Sequence, residues 1–270
     1  MIKDITIGQY FPGKSVIHRL DSRVKLLLDL IYLVMLFTAQ SFTGIIVSLL
    51  FMVFCYIISG IKLVMILKSV KPILPLMIFT AILNMLFITG ETPLFHWWII
   101  SIYPEGIRLA GFMLLRIISL IVGMSLLTYT TSPIMLTDAI ERLLSPLKKV
   151  RFPVHELSMM MTIALRFIPT LVEETDKIMS AQKARGAELD SGGMLKRAKS
   201  LVPIIIPLFV SAFKRANELA TAMECRCYKG GEGRTRMRQL KIAGRDIIAI
   251  VIMLIMFAGI IVMNCFPIIP

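Results

Sequence analysis

Apolar residues along this 270-residue chain gather into long runs near the length a bilayer requires. The runs predict five spanning helices at about 24–40, 43–59, 72–90, 107–130 and 246–266. The first run is short and carries Asp29. Between the fourth and fifth runs the pattern changes to a 3-4 rhythm. One stripe comprises Val154, Leu157, Met161, Ala164, Ile168, Leu171 and Ile178, and the next positions on its face are Gln182 and Arg185. A second comprises Leu195, Ala198, Val202, Ile205, Phe209, Ala212, Ala216, Leu219 and Met223 and ends on Arg226. Stripes of this kind bury against membrane, bundle or partner. Two of them, each finishing on a guanidinium, imply two matched docking points.

Local signals divide the pattern further. Pro12-Gly13 makes a turn, and Asp21 or Ser22 is placed to cap the first span. Ser132-Pro133 starts a helix over about 133–145, ended by Ser145-Pro146. Pro153 opens the first striped stretch, and Pro169 is expected to kink or break it. Asp190-Ser191-Gly192-Gly193 reverses the chain. The apolar run 201–210 is too short for a span and is interrupted by Pro203 and Pro207, so it is expected along the inner membrane surface or beneath the bundle. Gly230, Gly231 and Gly233 form a flexible link, and Arg234, Arg236, Arg238, Lys241 and Arg245 lead into the last span. The organisation expected is a four-span membrane bundle over 1–131, a helical domain over 132–242 and a final transmembrane helix over 243–270.

A 57% hydrophobic content and a mean hydropathy of +0.80 exclude a soluble domain of ordinary composition. The net charge of +13 suggests nucleic acid until its placement is read. Lys3, Lys14, Arg19, Arg23 and Lys25 precede the first span, and Lys62, Lys68 and Lys71 separate the second from the third. The connection 91–106 has Glu91 and Glu105 and no Lys or Arg. Segment 131–245 has 20 Lys+Arg against 11 Asp+Glu, and the tail carries no charge. This alternation is the positive-inside pattern for a multi-pass chain with a cytoplasmic N-terminus and an outside C-terminus, and it assigns the charge to no nucleic-acid partner. Trp97, Trp98 and Tyr103 lie in the acidic connection, where an interfacial aromatic belt belongs. The N-terminus starts polar and lacks the short apolar core of a cleavable signal peptide.

Candidate chemistry is sparse. Cys225-x-Cys227 has no second pair and no nearby histidine, so no metal site is expected. His18, His96 and His155 are scattered without nucleophile-base spacing, which argues against a membrane enzyme. The run GGEGRTR lacks the phosphate-loop spacing and a preceding strand. Arg116 lies inside the fourth apolar run, with Asp29 among the few acids able to partner it. The pair opens an alternative reading as a self-contained secondary transporter or channel. A packing role for the charge is favoured, because no relay of further acids accompanies it.

The two striped segments end alike, in Ser180-Ala181-Gln182-Lys183-Ala184-Arg185 and Thr221-Ala222-Met223-Glu224-Cys225-Arg226. Small residues before each arginine let another backbone approach, and guanidinium offers a planar fork of donors to a carboxylate. An arginine in a last helical turn also complements the macrodipole, and Gly186 is a plausible C′ cap. Taken singly each motif reads as a cap, and taken together they read as docking points. The chain resembles the transmembrane component of energy-coupling factor transporters, the EcfT/CbiQ family. The resemblance is carried by Ser15, His18, Leu20, Asp21, Arg23 and Lys25, by Arg166-Phe167-Ile168-Pro169, and by Ala181-Gln182-x-Ala184-Arg185-Gly186. It continues in Arg215-Ala216-x-x-Leu219-Ala220-x-Ala222-Met223-Glu224-x-Arg226-x-Tyr228. Cys225-Arg226-Cys227 stands where the family has Ala-Arg-Gly, which leaves the second helix end without its usual capping glycine.

The resemblance implies an all-α polytopic protein of a bacterial cell membrane, with cytoplasmic coupling helices between the fourth and fifth spans. It implies a non-catalytic scaffold of a vitamin or metal-ion importer. Ala184, Arg185 and Gly186 would dock one ABC-type ATPase subunit, and Cys225, Arg226 and Cys227 the other. Met161, Ile168, Leu171, Ile205 and Phe209 would contact a substrate-binding membrane subunit. No cofactor is implied on this chain, with ATP and magnesium expected on the ATPases. Nineteen methionines, Met159, Met160 and Met161 among them, would give an adaptable surface, although core filling accounts for most.

Overall fold

The computed structural model describes residues 10–89, 95–97, 100–150, 152–187, 193–230 and 242–265. It is helical apart from a three-residue antiparallel ladder, β1 Phe95–Trp97 against β2 Ile100–Ile102. The chain divides into two compact units.

The first unit joins Gly8–Ala139 to Gln239–Pro270. It holds α1 (Ser22–Thr38), α2 (Phe42–Ser59), α3 (Val64–Val70), α4 (Leu74–Phe87), α5 (Pro104–Thr130) and α9 (Gly244–Cys265). Asp21 caps α1 by accepting from the Arg23 amide at 2.9 Å, as its position in the sequence indicates. Ser41 caps α2, which ends on Gly60 at φ 72°, a left-handed conformation open to glycine. The third expected span starts earlier than its apolar run. It is a composite of α3, one 3-10 turn (Lys71–Ile73) and α4, and Pro72 and Pro75 withhold amide donors at the junction.

Five helical stretches are long and apolar enough to cross a membrane by length and composition: Phe42–Ser59, Val64–Phe87, Pro104–Thr130, Lys199–Cys225 and Gly244–Cys265. Helix α1 has 17 residues and falls short of that length, whereas Lys199–Cys225 meets it. The run 201–210, expected to be too short for a span and interrupted by Pro203 and Pro207, is part of that stretch. Both prolines instead ride inside one 32-residue helix.

Helix α5 is the centre of the first unit and packs on α1, α2, α3 and α4. Tyr32 and Tyr56 are fully buried against it, and their hydroxyls donate to backbone carbonyls of Ser119 at 3.2 Å and Val122 at 3.3 Å. Gly123 makes this approach possible, since a Cβ there would stand 2.5 Å from the Tyr32 ring. Outward faces carry Leu50, Phe54, Phe79, Phe87, Ile255 and Val262, the apolar exterior that a bilayer solvates.

The second unit contains Ile140–Arg238. A helix over about 133–145 was expected. The observed α6 (Pro133–Leu143), most of which belongs to the first unit, is followed by a 3-10 turn at Ser145–Val150. Helices α7 (Val154–Ala184) and α8 (Met194–Cys225) follow. Pro169 does not break α7, which runs 31 residues without interruption. The expected reversal at 190–192 and the basic link 231–241 lie outside the described residues.

Candidate functional site

Three contacts fix the course of α7 and α8. Gln182 Nε2 donates to the Pro203 carbonyl at 3.4 Å, Arg215 pairs with Glu174 at 2.5 Å, and the Tyr228 hydroxyl donates to Met159 Sδ at 3.1 Å. Later positions on one helix meet earlier positions on the other, so the two run antiparallel. The hydrogen bond from Arg215 holds the Glu174 carboxyl below its ordinary pKa, with the Ser211 hydroxyl adding to the effect.

Each helix closes with the same cap. After α7 the Gly186 amide donates to the Lys183 carbonyl at 3.0 Å and the Ala187 amide to the Gln182 carbonyl at 3.0 Å. After α8 the Cys227 amide donates to the Glu224 carbonyl at 2.8 Å and the Tyr228 amide to the Met223 carbonyl at 3.0 Å. These are matched Schellman motifs, and Gly186 (φ 85°) and Cys227 (φ 55°) hold the left-handed position. The second end thus keeps the cap geometry without glycine. Arg185 and Arg226 occupy the same C-cap position. Both are exposed, as are Ala181, Ala184, Ala222, Cys225 and Cys227. Neither guanidinium forms an ion pair among the described residues. Because the helices are antiparallel, Arg226 lies level with about residue 161 of α7, some 24 residues from Arg185. At 1.5 Å per residue the two arginines stand roughly 36 Å apart.

The stripes pack less simply than their spacing implies. On α8 the less exposed positions are Ser200, Ile204, Leu208, Ser211, Ala212, Arg215, Leu219 and Met223, so the inward face starts offset from the expected stripe and rejoins it from Ala212 on. Val202, Ile205 and Phe209 are open, with Phe209 63% exposed. Of the residues expected to touch a second membrane subunit, Met161, Ile205 and Phe209 are exposed, while Ile168 and Leu171 are half-buried. The open apolar face is therefore concentrated on the N-terminal half of α8.

The first unit carries a polar knot that the sequence motif did not disclose. Asp21 is forked by its own neighbour Arg23, at 3.1 Å from Nε and 2.8 Å from Nη2. Its backbone amide donates to Asp246 Oδ1 at 2.8 Å, and Asp246 Oδ2 accepts from the Ala243 amide at 2.7 Å, reaching back over the first turn of α9 as in a capping box. Lys25 Nζ donates to the carbonyls of His18 and Thr130 at 3.2 and 2.9 Å. His18 Nε2 lies 3.0 Å from the Phe11 carbonyl and must donate to it, which leaves Nδ1 to accept from Ser15 Oγ at 2.7 Å. Burial lowers the His18 pKa, the Phe11 carbonyl opposes that shift and the Lys25 charge adds to it. Ser15, His18, Asp21, Arg23 and Lys25 thus tie the start of α1 to the end of α5 and the start of α9. Asp246 went unnoticed, and an acid in the first turn of the last helix was the available signal.

Arg116 takes the role of a packing charge. Its Nη2 donates to the Ala39 carbonyl at 2.7 Å, and the guanidinium lies 4.6 Å from the Phe112 ring centroid. Asp29 is ten residues back along α1, roughly 15 Å away in depth, and lines a largely apolar cavity of about 240 Å³ with Tyr32, Met52 and Met253. Among the described residues Arg116 and Asp29 form no ion pair. Of the other histidines, His155 pairs with Glu141 at 3.3 Å.

Comparison with known proteins adds a family. Residues 13–237 match the family described as CbiQ, cobalt transport protein. The chain is 58% identical over 251 residues to the energy-coupling factor transporter transmembrane protein EcfT of Clostridium kluyveri, covering 92% of this chain and 93% of that one. It is 51% identical over 264 residues to the protein of the same description from Ruminiclostridium cellulolyticum, covering 98% of each. The counterpart from Lactococcus lactis subsp. cremoris is 44% identical over 255 residues, covering 94% of this chain and 96% of that one.

Proposed function

The chain belongs to the CbiQ/EcfT family, and on that premise we propose that it is the coupling scaffold of an energy-coupling-factor importer. It carries the motion of two ABC-type ATPases to a membrane subunit that binds a vitamin or metal ion. The observation that carries this reading is the pair of identically capped, exposed arginines at opposite ends of α7 and α8. Separated by roughly 36 Å, they suit two subunits better than two points on one. Arg185 and Arg226 would each meet acidic side chains of an ATPase, with Ala184, Gly186, Cys225 and Cys227 permitting close approach. The open face at Ile205 and Phe209 would receive the solute-binding subunit, with Met161, near the start of α7, a separate contact. The chain itself catalyses nothing in this scheme, since hydrolysis belongs to the ATPases. Its N-terminus and α6–α8 would face the cytoplasm and its C-terminus the outside, a reading supported by the placement of basic residues.

The test is to change Arg185 and Arg226 to Ala, singly and together, and measure ATPase copurification and solute uptake in the reconstituted assembly. Removing one desolvated ion pair costs about 2–5 kcal/mol, so the double variant should release the ATPases and lose uptake. A double variant that retains both activities would eliminate docking through these residues.

A further inference from the structure

Pro207 has no amide hydrogen, so the carbonyl four residues earlier, that of Pro203, lacks its regular i+4 donor within α8. A carbonyl deprived of its helical donor marks where a helix bends most easily, and this one lies on an exposed stretch of α8. Gln182 of α7 supplies the missing donor through Nε2. The backbone carbonyl of the same residue accepts the Ala187 amide that closes the cap after Arg185. One side chain therefore joins the end of α7 that bears Arg185 to the weakened turn of α8. On that turn lie Val202, Ile205, Ile206 and Phe209, all exposed. The second helix end is linked differently: the position three before Arg226 is Met223, which donates no hydrogen bond, and it is Tyr228, whose amide closes that cap, that reaches Met159 at the start of α7, far from the Pro203 turn.

We propose that Gln182 is the positioning residue through which displacement of the Arg185 end reaches the apolar face of α8, and that the Arg226 end, tied through Tyr228 to Met159 of α7, does not act on that face. The proposal rests on the scaffold reading above. A shift of the α7 cap draws on the Pro203 carbonyl at the point where α8 lacks its regular i+4 hydrogen bond, so Ile205 and Phe209 move with it.

The experiment uses the full assembly in liposomes and measures solute taken up per ATP hydrolysed. Gln182→Leu and Gln182→Glu, neither able to donate, should keep the ATPases bound and hydrolysing while uptake per ATP falls about fivefold, the effect of one neutral hydrogen bond. Pro207→Ala restores an amide to the Pro203 carbonyl, and in that background Gln182→Leu should change the ratio by less than about twofold. An unchanged ratio in the single variants, or an equal fall in both backgrounds, overturns the proposal. Dissociation of the ATPases from Gln182→Leu overturns it too, since the residue would then serve docking. Retention of ATPases by the double arginine variant is a separate result, and it would defeat the docking scheme rather than this link.

Discussion

Replacing Asp246 by alanine removes the acceptor on which the first and last helices of the membrane unit converge. The carboxylate is 2% exposed and accepts from the Asp21 amide at 2.8 Å and the Ala243 amide at 2.7 Å. Alanine strands both donors, and Asp21 is itself 7% exposed, so water cannot easily replace the acceptor. Hydrogen bonds to charged groups contribute about 1.5–3 kcal/mol each, which puts the loss at about 3–6 kcal/mol. Asp246→Asn keeps one acceptor oxygen and should lose about half as much. The assay is thermal unfolding in mild detergent followed by retention of a monodisperse species. A loss of this size lowers the midpoint by at least about 5 °C. If Asp246→Ala unfolds within about 1 °C of wild type, then Asp246 does not hold the helix ends together as argued.

Other substitutions test separate features. Gly123→Ala would push a methyl against the Tyr32 ring, 2.5 Å away, and Met52 Cε, 3.2 Å away. It should destabilise by about 1–3 kcal/mol, read as the same thermal midpoint, and Tyr32→Leu should partly rescue it. Cys227→Gly should stabilise the second helix end by up to about 1 kcal/mol by relieving a left-handed non-glycine residue. Gly186→Ala should destabilise the first end by a similar amount, and amide exchange in the two last turns reports both. His18 has a native pKa below its ordinary 6.5, so the unfolded chain binds more protons between those two values. Stability is then highest above 6.5, falls as pH drops towards the native value and levels off beneath it. His18→Gln should flatten that part of a stability-versus-pH curve.

Much of the membrane unit was legible in the apolar runs, because a span must be continuous and its length is set by the bilayer. Helix α2 starts one residue before its expected position, and α5 and α9 begin two or three residues early. The composite of α3 and α4 was missed because Lys68, Ser69 and Lys71 lower the hydropathy where the backbone stays helical. Prolines were misread for a different reason. A lone proline removes one donor without ending the helix, as at Pro169, Pro203 and Pro207, and at Pro203 the carbonyl accepts from Gln182, 21 residues away. The docking arginines were legible as a repeated ending. Their common cap was obscured at Cys227, since sequence alone does not reveal that a cysteine will adopt a positive φ. The Asp21–Asp246 contact spans 225 positions, and no local pattern encodes it.

That long-range closure has a bearing on how the protein is made. Helix α1 is synthesised early, yet its start leans on Asp246 and its end on Asn264, which accepts from the Gln40 amide and donates to the Thr38 carbonyl. Until the final helix leaves the ribosome, both tips of the opening helix have backbone groups waiting for a mate. A chain that lacks α9 therefore leaves the Asp21 and Gln40 amides and the Thr38 carbonyl without their native partners, so the opening helix acquires its full set of end contacts only when the last one packs beside it.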